Sequence, residues 1–529
     1  MRHHLNRCFT AVSVLLLIVF IPATLSAQTS PQTSSLFGEL KPGQYGVGFT
    51  KIQLKDPTRS DLPKRDRAGK IETADRAHKI EVHIWYPAAA SASAHSMTFA
   101  DYMFSHLPSS ADERARQKEE ADFRNFLGQF GNISDSAWAT LKETRLLAQR
   151  NATPASSRFP LIIGQLRPLS TTLTNEYLTS HGYVVAMVSG QSPQTRDGGP
   201  GLEAALRDME FAIPELRKLP YVDPAALAVL GFSGSGFSQV LLAMRHPDID
   251  AVCDLESAIF DDRLMWPLFR GWGFDVTAMR VPFLHTYSVP LSARENRISD
   301  FEKMRYSTRH HYLVDAPQIH HWDFATEGMA ASSVLKLRGD NATRLRQAFE
   351  TTNRYVLAFF NAYVKHDNAE LAFLRKDPAA NGAPAGLATI RELPAVEPAP
   401  TLDEFIALIT SQGITQAIKL YETAKKVDPE ADLFRETTLN QIGNQLVRNQ
   451  RHKEGIEIYK LCLEAYPKSS RATYNLGYAY EAIGEKKVAL EYFERCLQLV
   501  SDDPNQTDQG RQTIRTNVPE RIRVLKAGQ

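Results

Sequence analysis

Ala228-Val229-Leu230-Gly231-Phe232-Ser233-Gly234-Ser235-Gly236 is an apolar strand that runs straight into a glycine-bracketed serine, and the helical pattern Phe237 to Arg245 follows at once. This is the setting of a nucleophile elbow, a strand-to-helix turn so sharp that its central serine takes strained backbone angles and exposes its hydroxyl above a sheet. Gly231 and Gly236 let strand and helix approach, because a Cβ at either place would collide across the turn. Ser233 is therefore the candidate nucleophile. The pattern departs from G-x-S-x-G at one place: Ser235 stands where the second glycine belongs, and the glycine comes one residue later.

An elbow serine needs a carboxylate and a histidine, in that order along the chain. After the elbow helix an apolar strand, Ala251 to Leu255, ends in Glu256. Asp254 and Glu256 are two residues apart, so in an extended strand both point to one face. A third strand, Val281 to Tyr287, ends in Ser-Val-Pro with no carboxylate at its tip, which leaves the earlier strand to supply the acid. A fourth, Tyr312 to Val314, leads to His320-His321-Trp322-Asp323-Phe324.

The stretches His83-Ile84-Trp85-Tyr86-Pro87, Phe159-Pro160-Leu161-Ile162-Ile163 and Ser180-His181-Gly182-Tyr183-Val184-Val185-Ala186, followed by the elbow and a final His-x-x-Phe, resemble the α/β-hydrolases of the platelet-activating-factor acetylhydrolase and dienelactone hydrolase type. The resemblance spans roughly residues 70 to 366. In the acetylhydrolases the acid follows the strand after the elbow helix in a Leu-Asp-Ala context, and Leu255-Glu256-Ser257 falls on that position. Glu256 thereby inherits the acid's role, with Asp254 as the alternative. His321 matches the family histidine because Phe324 follows three residues on, with His320 as the alternative base. The implied fold is a mostly parallel sheet with flanking helices, and the implied activity is ester hydrolysis through an acyl-serine intermediate.

Each residue type has a chemical reason. A serine hydroxyl is a poor nucleophile at neutral pH, so an imidazole must take its proton during attack and return it to the leaving group. A carboxylate on the other ring nitrogen sets the tautomer and stabilises the imidazolium, and glutamate does this as aspartate does. One oxyanion donor is the backbone N–H of Gly234; a second should come from the loop after the strand Leu161 to Gly164. The family carries Ser-His-Gly in that loop, whereas this chain has Gln165-Leu166-Arg167-Pro168-Leu169. Proline has no N–H, so Leu166 and Arg167 are the candidate donors. A peptidase, or a hydrolase fold that binds without catalysing, remains open, since a triad does not distinguish ester from amide.

A chain of 529 residues exceeds one core and predicts two or three domains. Arg2 and Arg7 precede an unbroken apolar run, Ala11 to Ile21, followed by Leu25-Ser26-Ala27. That is the pattern of a signal peptide over residues 1–27, which predicts a secreted or periplasmic protein with no stable membrane span after cleavage. The full chain carries 61 basic and 60 acidic residues, and cleavage removes two arginines and no acid, leaving a net charge near −1. Nothing in that balance favours nucleic acid. Cys253, Cys462 and Cys496 fall on apolar faces, which reads as small core residues and not as a disulfide framework. No motif for zinc, nucleotide or another cofactor is present.

Along the chain, residues 28–375 read as the α/β unit, with a helical insertion at 88–158, built on Asp112 to Phe126 and Ser136 to Arg150, that could act as a lid. Alternating strands and helices from Phe159 onward predict parallel strands. Residues 376–400, rich in Pro and Ala, read as a linker. Beyond it, Ile442-Gly443, Gly455, Tyr459 and Cys462 recur as Leu476-Gly477, Ala489, Phe493 and Cys496, a displacement of 34 residues. That is the period of tetratricopeptide repeats over 401–529, with a divergent first unit at Leu402 to Pro429 and a closing helix at Val518 to Leu525. The expected partners are a small-molecule or lipid ester substrate and, through the repeats, a protein partner or a second copy.

Overall fold

In the computed structural model the described residues are 34–60, 77–89, 96–108, 110–166, 169–190, 199–257, 259–260, 274–293 and 298–527. The segment read as a signal peptide and residues Arg167 and Pro168 lie outside them.

Among the described residues eleven strands make one sheet. They are β1 Gly46–Ser60, β2 Ala77–Ala88, β3 Ser96–Thr98, β4 Arg145–Arg150, β5 Phe159–Gln165 and β6 Val184–Gly190. The rest are β7 Val222–Phe232, β8 Ala251–Leu255, β9 Phe283–Ser288, β10 Arg309–Val314 and β11 Ala388–Leu393. Their spatial order is β11-β10-β9-β8-β7-β5-β6-β2-β1-β4-β3. From β6 to β10 every neighbouring pair is parallel. Parallel strands need crossovers, which here put helices on both faces and so make the central strands apolar on both sides.

Alternate residues of β7 show this: Ala228 and Leu230 enter one core, Leu227 and Val229 the other. The first core is covered by helix α4 (Thr172–Ser180) and the long helix Ala342–Val364, the second by α5 (Gly199–Leu216) and α6 (Gly236–Arg245). This is the α/β-hydrolase architecture, with the elbow on a central strand.

Two sequence expectations need correction. Ser136 to Arg150 is not one helix. The insertion contains α1 (Phe99–Met103), α2 (Glu113–Leu127) and α3 (Asp135–Glu143), but Arg145–Arg150 is the strand β4, paired in parallel with β1 through Val47 and Ala148. Leu146 and Ala148 are buried and their neighbours are not, a period of two that the run of good helix formers concealed. The insertion is stapled to the core by Glu176, fully buried, which accepts hydrogen bonds from Tyr102 Oη at 2.6 Å, Leu147 N at 2.7 Å and Ala148 N at 3.1 Å.

The stretch 376–400 is also not a free linker. Pro378–Asn381 forms a 3₁₀ turn, and Ala388–Leu393 is β11, pairing antiparallel with β10 in six register positions from Arg309↔Leu393 to Val314↔Ala388. Composition misled here because an edge strand needs only one apolar face, and β11 buries little besides Ala388.

The repeats follow as paired helices, Leu402–Gln412 with Ile414–Val427, Glu436–Arg448 with His452–Ala465, and Ser470–Ala482 with Lys486–Leu499, closed by Asp508–Ala527. A Cβ on Gly443 would lie 2.3 Å from the Tyr459 ring, and one on Gly477 2.7 Å from the Phe493 ring, so the small-large pairs read from the sequence are the helix crossings. The closing helix buries Ile514, Val518 and Leu525. The cysteines Cys253, Cys462 and Cys496 are free and buried. The first repeat docks on the α/β unit through Asp428, which accepts from Tyr306 Oη at 2.6 Å and pairs with Arg305 Nε at 2.8 Å. No helix among the described residues is long and apolar enough to cross a membrane.

Candidate active site

Ser233 follows the last residue of β7 and opens a 3₁₀ turn, Ser233–Ser235, that passes into α6. Its φ is 58°, in the left-handed region that costs an L residue about 1–2 kcal/mol. The two flanking glycines act as the sequence suggested: a Cβ on Gly231 would stand 2.8 Å from Gly236 Cα, and one on Gly236 would stand 2.5 Å from Ser257 Cβ.

The departure at position 235 has a structural role. Ser235 is buried, and its Oγ donates to Phe232 O at 2.7 Å while accepting from Phe232 N at 2.9 Å. The hydroxyl thus ties the turn back to the strand end, and Ser233, half-buried beside the exposed Gly234, is the serine that faces outward.

The acid candidates separate. Phe232 pairs with Leu255, and Leu255 with Thr286, so the ends of β7, β8 and β9 lie side by side. Glu256 is the first residue past β8 and turns out of the strand at φ 48°. Its carboxylate accepts from Ser288 N at 2.7 Å and Ser288 Oγ at 2.6 Å. Ser288, on a strand tip that holds no carboxylate, supplies two donors to the carboxylate that follows the neighbouring strand.

Asp254, the alternative acid, lies in a different setting. It is fully buried within β8, with His285 Nδ1 at 2.9 and 3.0 Å from its two oxygens and Ser257 Oγ donating to it. The two-residue argument fails because the strand stops at Leu255, so Glu256 no longer shares the face of Asp254.

The histidines also separate. His321 is half-buried with its ring stacked on Phe232 at 4.9 Å, next to the candidate nucleophile in sequence, and edge-on to Trp322 at 5.1 Å. His320, the alternative base, is exposed and turned to Phe130 at 5.7 Å on the insertion. Consecutive residues in this extended entry to a turn point to opposite sides. The turn is held by Asp323, which accepts from His320 N and from Arg338 Nη2, both at 2.7 Å. Burial pushes the Asp323 carboxyl up to about 6 against the opposing pull of Arg338.

Leu166 is corrected as an oxyanion donor, since its N–H donates to Val188 O at 2.8 Å as the continuation of the β5–β6 ladder. Arg167 lies outside the described residues. Gly234 follows Ser233 in the 3₁₀ turn that leads into the elbow helix. The insertion reaches this region: Phe126 of α2 meets Trp322 edge-on at 4.9 Å.

Residues 434–502 match the family model for the tetratricopeptide repeat. Among solved structures, a ferulic acid esterase from Streptomyces cinnamoneus is similar over 67% of this chain and 98% of its own, with 19% sequence identity and a TM-score of 0.46. A search of curated proteins finds no match to this chain.

Proposed function

We propose that this chain is an exported serine hydrolase, secreted or periplasmic, that cleaves carboxylic esters through an acyl-serine intermediate at Ser233. One observation carries the reading: Ser233 sits at φ 58° on a strand-turn-helix elbow, and the residue before it is stacked on His321. In the forward step His321 takes the Ser233 proton as Oγ bonds to the ester carbon, then passes it to the departing alkoxide. Water, deprotonated by the same ring, releases the acid in the second half. Glu256, held by Ser288, is the acid that orients the imidazole. The Gly234 N–H stabilises the oxyanion.

The Leu166 N–H is engaged by Val188 O and leaves Arg167 as the candidate second donor, and a hole short of one donor loses about 3 kcal/mol of transition-state stabilisation. Esters, with their better leaving group, tolerate that loss more readily than amides, which is why esters are preferred here. The same observation favours one second reading, a hydrolase fold that binds ligand and presents the repeats without turnover. The repeats serve partner docking or self-association in either case.

A fluorophosphonate probe decides between them. It should label the purified chain at Ser233, and Ser233→Ala should abolish labelling and lower ester hydrolysis by about ten-thousandfold or more. A folded Ser233→Ala that keeps most of its activity would sink the proposal, and a wild type that neither labels nor hydrolyses would establish the non-catalytic reading.

A further inference from the structure

Four aromatic side chains run outward from the elbow in unbroken contact. Phe232, which precedes Ser233, lies 5.8 Å from Trp322, and Trp322 lies 4.9 Å from Phe126 on the insertion helix α2. Phe123, one turn back on α2, continues the row at 6.0 Å from Phe126. Phe232 is buried, as the packing of an elbow requires, but Trp322, Phe126 and Phe123 are only half-buried. Large apolar rings left partly open beside a nucleophile are costly in water and gain when a ligand covers them.

Phe123, Phe126 and Trp322 lie at the margin of the core, packed against it but not enclosed by it. The insertion is anchored elsewhere, by Glu176 gripping β4 and Tyr102, and by Leu127, Trp138 and Leu141, which are buried. Its hold on the histidine turn already has a second contact, Phe130 with His320 on one side and Arg338 on the other at 5.2 Å. Phe126 packs on the margin of the core and keeps part of its ring open, one ring beyond Trp322, which itself meets Phe232 beside Ser233.

We infer that Phe126 and Trp322 form the wall that selects the substrate's bulky group, and that the preferred esters carry a ring-sized aromatic group next to the scissile bond. This rests on the esterase reading above. Phe126 carries no acidic or basic group, so it acts on specificity and takes no part in proton transfer. An aromatic contact of this kind contributes about 0.5–1.5 kcal/mol beyond area burial, which corresponds to about a two- to tenfold preference.

The test measures hydrolysis by pH-stat titration for three esters: ethyl acetate, ethyl 3-phenylpropanoate with the ring on the acyl side, and benzyl acetate with the ring on the alcohol side. Wild type should favour one of the ring-bearing esters over ethyl acetate in kcat/KM, which also assigns the wall to the acyl or the alcohol side. Phe126→Ala should lower kcat/KM for that ester about five- to tenfold, mainly through KM, and leave ethyl acetate within twofold. Phe126→Leu, which keeps apolar volume without the ring, should lie between, and provides the comparison if the alanine variant is unstable. An unchanged ring preference in the leucine and alanine variants overturns the inference. A parallel loss on all three esters also overturns it, since Phe126 would then only be bracing the histidine turn. Wild type inert to all three esters and to the fluorophosphonate probe removes the esterase reading itself, whereas turnover of all three without preference removes only the wall.

Discussion

Replacing Ser235 by alanine tests whether the departure from the elbow motif is a structural lock or a second nucleophile. The hydroxyl makes two hydrogen bonds to Phe232, at 2.7 and 2.9 Å, in a side chain that is only 2% exposed. Stripping a buried N–H of its acceptor costs about 1–3 kcal/mol, and the lost bond to the carbonyl adds about 1 kcal/mol. The combined loss, about 2–4 kcal/mol, exceeds the strain of about 1–2 kcal/mol held at Ser233. The turn should therefore relax. Calorimetry should show the transition of the α/β unit lowered by about 5 °C or more. Turnover of a soluble ester should fall about tenfold, the effect of misplacing the nucleophile by about 1.4 kcal/mol of barrier, with KM little changed. Probe labelling should persist at Ser233. Unchanged melting and turnover would refute the lock, and loss of labelling in Ser235→Ala with labelling retained in Ser233→Ala would move the nucleophile to position 235.

Three further outcomes are expected. Glu256→Gln should lower kcat steeply with little change in KM, because the imidazole tautomer is lost while the pocket stays, whereas Asp254→Asn should act mainly on stability, since Asp254 binds His285 and Ser257; larger catalytic damage from Asp254→Asn would reverse the assignment. A chain ended after Ala399 should fold and keep activity, but one ended at Lys376 lacks β11 and its ladder of about six bonds at about 1 kcal/mol each, so it should aggregate or unfold at lower urea; equal stability of the two would make β11 dispensable. Burial raises the Glu176 carboxyl from 4.5 to about 7. The folded state therefore binds a proton that the unfolded chain has released, and this contribution, on the order of 3 kcal/mol, is complete below about pH 4.5 and lost as pH rises through about 7. Thermal unfolding from pH 4.5 to 8 should show a steeper decline for wild type than for Glu176→Gln, and identical slopes would contradict it.

The local patterns in this chain were decisive wherever chemistry and backbone geometry are both short-range. The elbow could be read because Gly231, Ser233 and Gly236 sit within six residues, and a tight turn can be built by few other sequences. The repeats could be read because Gly443 faces Tyr459 and Gly477 faces Phe493, each within its own helix pair, and that pairing recurs after 34 residues. The order of strand, elbow, acid and histidine carried the α/β sheet for a similar reason, since parallel strands force crossovers and buried faces that leave continuous apolar runs.

What lay beyond the sequence depends on partners distant along the chain. Whether Asp254 or Glu256 serves as acid turns on His285 and Ser288, some thirty residues away, one holding each carboxylate. His321 and His320 are set apart by tertiary contacts, His321 meeting Phe232 and His320 meeting Phe130. The Leu166 N–H is spent on Val188 because β5 and β6 are neighbours, and Ala388–Leu393 is a strand because β10 offers it an open edge. A carboxylate, an imidazole or an amide has the same intrinsic chemistry wherever it stands, and only the contacts made on folding decide which one is left to act.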